Sequence, residues 1–137
     1  MSEQPKKSFL YINRRAPHGT IYALESLEVV LIGAAFEQDV ALAYLDDGVF
    51  QLVQRQDTAA IGVKNFSKTY RALGDYDVRR LYVEREALAE RGLSESDLMP
   101  LAYEDEDEDY AEKPLIQYVD RAEMTRIIGA ADVVLSF

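Results

Sequence analysis

Apolar and polar residues fall into short alternating blocks along this 137-residue chain. Phe9-Leu10-Tyr11-Ile12 is an apolar run closed by Asn13-Arg14-Arg15, the pattern of a short buried strand. Apolar residues then recur at Ile21, Leu24, Leu27, Leu31 and Ala35, one face of a helix expected from Thr20, its N-cap, to about Phe36. The second half of that helix, Val29 to Phe36, is apolar on every side, which predicts cover by its own sheet and by another subunit. Val40 to Leu45 is a continuous apolar run, as in a central parallel strand covered on both faces. After Asp46-Asp47-Gly48, the stretch Val49 to Val53 suits a short helix capped by an aspartate.

Residues 55–66 show no clean period, and Ser67 opens a helical turn that Gly74 closes. A third strand is expected at Val78 to Val83 and a helix at Glu84 to Arg91, with Gly92 past its end and Leu93 as the apolar residue that follows. Ser94-Glu95-Ser96-Asp97 resembles a capping box before a short helix ending near Pro100. A fourth strand (Leu115–Val119), a helix (Arg121–Ile128) and a last strand (Val133-Val134-Leu135) complete the chain. Strands alternating with helices predict an α/β fold. The expectation is a single domain, 1–137, with a mostly parallel five-stranded sheet and helices on both faces, flavodoxin- or Rossmann-like.

Charge changes this picture in one place. The net charge is −10, but residues 1–93 carry 12 Lys/Arg against 13 Asp/Glu, while residues 94–137 carry 3 against 12. Much of the excess is the run Glu104-Asp105-Glu106-Asp107-Glu108-Asp109, with Glu112 close behind. Such a run repels itself, so Tyr103–Lys113 is expected to be a solvated loop insertion, with a docking surface for a basic partner as the second reading. An acidic chain is not expected to meet nucleic acid directly, because phosphate contacts need clustered cations. No apolar stretch approaches the ~20 residues that span a bilayer, and MSEQPKKSF contains no apolar signal segment. No membrane contact is expected, and the expected location is the cytoplasm.

The chain contains no cysteine and one histidine. Thiol catalysis, a persulfide carried on this chain and Cys-ligated metals are thereby excluded, and a lone histidine makes a zinc site improbable. In parallel sheets the ligand crevice lies beyond the carboxyl ends of the strands, which gathers Arg14, Arg15, Pro17, His18, Gly19 and Thr20 after the first strand and Asp46, Asp47 and Gly48 after the second. An enzyme could use His18 as base, Asp46 or Asp47 as its orienter and Arg14 or Arg15 to hold an anion. No nucleophile accompanies them, so His18 is read first as a structural residue of its turn, next as a binding or interface residue, and last as a catalyst. The glycine-rich phosphate loops are absent, and no cofactor or metal is expected.

The segments APHGT (16–20), DDGVFQL (46–52), LGDYDV (73–78), ERGL (90–93) and DVVLSF (132–137), in this order and spacing, resemble the DsrF/TusC subunits of the DsrE/F-like sulfur-relay family. The resemblance covers about Lys7 to Phe137, and the pairing of APHGT with DGVFQL is its most specific part. It implies a compact α/β sheet and a place in a heterohexamer with DsrE/TusD-like and DsrH/TusB-like subunits, two copies of each. In such complexes sulfur travels as a persulfide on a cysteine of the DsrE/TusD partner and passes to a DsrC/TusE-type acceptor. This chain would then be a structural, non-carrier subunit and not an enzyme by itself. An N-terminal extension and the acidic insertion depart from the shorter TusC pattern and favour the sulfur-oxidation branch over tRNA thiolation. Arg14, Arg15, Pro17, His18, Gly19, Thr20, Asp46, Asp47 and Gly48 become candidates for a subunit contact or a pocket beside the partner's cysteine. A stand-alone module for a small anion and a small enzyme stay open as other classes.

Overall fold

A computed structural model describes residues 7–15, 39–53, 73 and 78–137. Five strands form one sheet: β1 (Ser8–Asn13), β2 (Asp39–Tyr44), β3 (Leu81–Glu84), β6 (Ile116–Val119) and β7 (Val133–Ser136). The order is β6-β3-β2-β1-β7, and every neighbouring pair is parallel. This is the α/β sheet the alternation predicts. The long helix expected at 20–36, with its apolar second half, and the helical turn expected at 67–74 lie outside the described residues, apart from Leu73.

Strand alternation sorts the core into two layers. Tyr11, Val40, Leu42, Tyr44, Leu81 and Val83 point to one face, where Val49, Leu52, Leu88, Met99 and Leu101 cover them. Leu10, Ile12, Ala41 and Ala43 point to the other, against Met124 and Ile127 of α2 (Arg121–Ala130). With both faces covered, no strand of the sheet centre alternates polar with apolar, which is why β1 and β2 read as unbroken runs.

Boundaries shifted where polar residues take structural duties. The third strand starts at Leu81 rather than Val78 and runs on to Glu84. Glu84 is buried, and Arg121 donates to its Oε1 from Nε at 3.2 Å and from Nη2 at 3.0 Å. The helix that follows, α1 (Arg85–Glu90), ends in a Schellman motif. Gly92 adopts φ +68°, its N–H donates to the Ala89 carbonyl at 3.2 Å, and Leu93 N–H donates to the Leu88 carbonyl at 2.9 Å. Ser94 and Asp97 form the expected capping box, around a single 3-10 turn (Glu95–Asp97). The segment after β2 is a 3-10 helix that begins at Asp46 and ends at Leu52. No aspartate caps it, because Leu45 occupies the N-cap and makes no side-chain bond there.

The acidic stretch is a hairpin, not a loop. β4 (Ala102–Asp105) pairs antiparallel with β5 (Ala111–Pro114) across a 3-10 turn at Glu106–Glu108. Two cations make this possible, Arg79 from well upstream and Lys113 from β5 itself. Arg79 lies 4.5 Å from the Tyr103 ring centroid and reaches Glu106 at 3.1 Å, while Lys113 bridges Asp105 at 2.6 Å and Glu108 at 3.0 Å. Among the described residues no helix is long and apolar enough to cross a membrane.

Candidate functional site

The strand order contains one reversal. The chain steps outward from β1 through β2 and β3 to β6, then returns to lay β7 on the far side of β1. In open parallel sheets such a switch point, at the carboxyl ends of the strands, is where the connections diverge and leave a crevice. A crevice of about 400 Å³ lies there, lined among the described residues by Arg14, Arg15, Asp46, Asp47, Ser136 and Phe137.

Register brings these residues together. Asn13 pairs with Tyr44, and Ile12 pairs with Ser136, so three strands end level. Backbone bonds close the floor: Arg14 N–H donates to the Phe137 carbonyl at 3.1 Å, and Phe137 N–H to the Ile12 carbonyl at 2.8 Å. The Phe137 ring stacks on Tyr11 with centroids 6.3 Å apart. That contact anchors the last residue of the sequence into the site wall.

The DGVFQL segment holds the backbone that enters APHGT. A Cβ on Gly48 would lie 1.8 Å from the Asn13 carbonyl oxygen, so the 3-10 helix rests directly on the end of β1. Leu45 N–H donates to the same Asn13 oxygen at 3.1 Å. Three residues on from Gly48, the buried Gln51 donates from Nε2 to the Arg15 carbonyl at 2.9 Å. The DGVFQL segment and the end of β1, as far as Arg15, are therefore two sides of one clasp.

Charge in the crevice is balanced rather than cationic. Arg14 Nε donates to Asp46 Oδ2 at 2.9 Å, and Asp46 is held at φ +50°, a left-handed conformation. A residue other than glycine keeps that conformation only where surrounding structure enforces it. Asp47 accepts from Arg91 Nε at 3.0 Å, and Arg91 also bonds the Ala87 carbonyl, tying α1 to the rim. Arg14, Arg15, Asp46, Asp47 and Gly48 thus meet as expected, whereas Pro17, His18, Gly19 and Thr20 lie outside the described residues. Asp46 and Asp47 each face an arginine. Sequence reasoning missed Gln51, Arg91 and Phe137. Each left only a trace, as a member of a segment that carried the resemblance: DDGVFQL, ERGL and DVVLSF. Among the described residues no group of three or more His, Asp or Glu is placed to hold a metal.

The model of the DsrE/DsrF-like family matches residues 7–137. The intracellular sulfur oxidation protein DsrF of Allochromatium vinosum is 54% identical over 137 residues, covering 100% of both chains. A TusC homologue from Pseudomonas aeruginosa is 39% identical over 115 residues, 84% of this chain and 95% of its own. Protein TusC of Escherichia coli O9:H4 is 36% identical over 87 residues, 64% of this chain and 73% of its own. The crystal structure of the ychN protein from E. coli shares the fold, with a TM-score of 0.72 over 96% of this chain and 99% of that one, at 19% identity. With a family match that spans both sides of the clasp and the strand ends beneath it, the chain belongs to the DsrE/DsrF-like family.

Proposed function

We propose that this chain is a cysteine-free, non-carrier subunit of a cytoplasmic sulfur-relay complex of the DsrEFH type, serving sulfur oxidation. The observation that carries this reading is the 54% identity to DsrF along the whole of both chains. The partial coverage of the E. coli TusC match favours this branch over tRNA thiolation. A relay step needs a thiolate to accept the sulfur, and with no cysteine here the carrier belongs to a partner. The expected assembly has two copies each of this chain, a cysteine-bearing DsrE/TusD-like subunit and a DsrH/TusB-like subunit, with a DsrC/TusE-like protein as acceptor.

The crevice at the switch point serves as the contact or pocket wall beside the partner's cysteine. Arg14 and Arg15 bring positive charge to the rim, and Asp46 fixes Arg14 in place. Pro17, His18, Gly19 and Thr20, which follow Arg15 in the sequence, are assigned to the same contact, with His18 as a shaping residue and not a catalyst. Native mass spectrometry of the chain co-expressed with the two partner types tests the reading. A hexamer with two copies of each subunit supports it, and a monomer that ignores both partners overturns it.

A further inference from the structure

We propose that the hairpin face beside β6 is a docking site for an extended, lysine- or arginine-bearing segment of another protein. This inference is independent of the relay assignment. The sheet order leaves β6 at an edge, with one strand neighbour among the described residues. Alongside it runs an apolar groove of about 240 Å³, with Leu98, Met99 and Leu101 as its floor and Pro114, Ile116 and Tyr118 among its walls. An edge strand offers backbone groups and a groove offers side-chain pockets, the two elements of strand-addition recognition.

Charge names the occupant. In the hairpin register Ala102 faces Pro114 and Glu104 faces Glu112. Strand period places all four on one face, continuous with the groove that Pro114 lines. The opposite face carries Tyr103, packed on the core, and Lys113 with Asp105. Glu104 and Glu112 are both exposed, directly across from each other, and among the described residues neither has an ion-pair partner. Like charges so placed oppose the pairing that carries them. The hairpin tolerates this conflict while three of its five other carboxylates, Asp105, Glu106 and Glu108, are matched to Lys113 and Arg79. A cationic side chain entering from the groove relieves the repulsion, and an apolar neighbour on the same segment fills the groove. A second copy of this chain is a poor occupant, because each carries a net charge of −10.

The probe is a fluorescein-labelled heptapeptide alternating lysine with valine and leucine, titrated into the full chain at physiological salt. Its control replaces every lysine by glutamate. Binding of the lysine peptide alone is expected, with amide shifts grouped at residues 98–101 and 112–118. The double change Glu104→Gln and Glu112→Gln weakens binding by about fivefold or more, the combined size of two cross-strand charge contacts. Glu112→Lys turns the clash into an opposite-charge pair, so it raises the melting temperature and yet weakens peptide binding, which separates docking from folding. Equal affinity in the double variant, shifts centred on residues 106–109, no binding of the lysine peptide, or dimerisation through the groove each overturns the proposal.

Discussion

Replacing Gly48 by alanine tests the clasp at its tightest point. The new Cβ would stand 1.8 Å from the Asn13 oxygen, 2.5 Å from the Asn13 carbonyl carbon and 3.0 Å from the Arg14 nitrogen. All three are backbone atoms in a strand bonded on both sides, so none can rotate away as a side chain would. The 3-10 helix must lift by more than an ångström. Overpacking of this kind costs about 1–3 kcal/mol. Lifting the helix also strains the Leu45 bond to Asn13 and the Gln51 bond to Arg15, each worth about 1 kcal/mol. A loss of about 3–5 kcal/mol follows, a large part of the ~5–15 kcal/mol that holds a domain together. Urea unfolding followed by far-ultraviolet circular dichroism and tyrosine fluorescence measures it, the chain having nine tyrosines and no tryptophan. A variant within about 0.5 kcal/mol of the parent, the range of ordinary surface changes, would refute the reasoning.

Two other glycines provide contrast in the same assay. Gly129 lies in α2 with nothing within 4 Å of an added Cβ, so Gly129→Ala is expected to stabilise by about 0.5–1 kcal/mol through helix propensity. Gly92 also has open space but sits at φ +68°, and Gly92→Ala should cost about 1 kcal/mol from backbone strain alone. The hairpin predicts a pH dependence. The hydrogen bond from Lys113, reinforced by the Asp107 N–H, holds the Asp105 carboxyl below its ordinary range. A depressed carboxylate adds stability above its unfolded pKa, near 3.9, and loses that contribution as pH falls through the lower folded value. Asp105→Asn should therefore be less stable than the parent at pH 6, with the difference closing below about pH 4; a constant difference in urea midpoint across that range would count against the Lys113 bond. In the reconstituted complex, Arg14→Ala with Arg15→Ala is expected to slow sulfur loading on the cysteine-bearing partner while assembly persists. Unchanged loading in an intact hexamer would remove the arginines from that role.

Much of the fold was legible because both faces of the sheet are covered. β1 and β2 appear as unbroken apolar runs, and α1 and its Schellman stop appear as ERGL, where glycine and the following leucine are local necessities. The family resemblance rested on APHGT and DGVFQL, and DGVFQL clasps the end of β1 at Asn13 and Arg15, just ahead of APHGT in the sequence. The hairpin was illegible for a specific reason. A run of carboxylates predicts self-repulsion unless its counter-charges are known, and Arg79 lies more than twenty residues upstream of Glu106. Strand three was expected too early because Val78 is apolar, whereas pairing begins at Leu81, where Leu42 offers a register partner.

By itself the sequence determined which segments could be strands, where helices stop and that no thiol chemistry resides on this chain. Those properties follow from side-chain size, backbone freedom and the presence or absence of an atom, all of which are local. Tertiary structure alone decided the strand order, the level ending of β1, β2 and β7, and hence the crevice between Arg14 and Phe137. It also decided that Asp46 and Asp47 answer arginines 32 and 44 residues away. Partners of that kind are set by register across a sheet, and register is a property of the assembled chain rather than of any stretch within it.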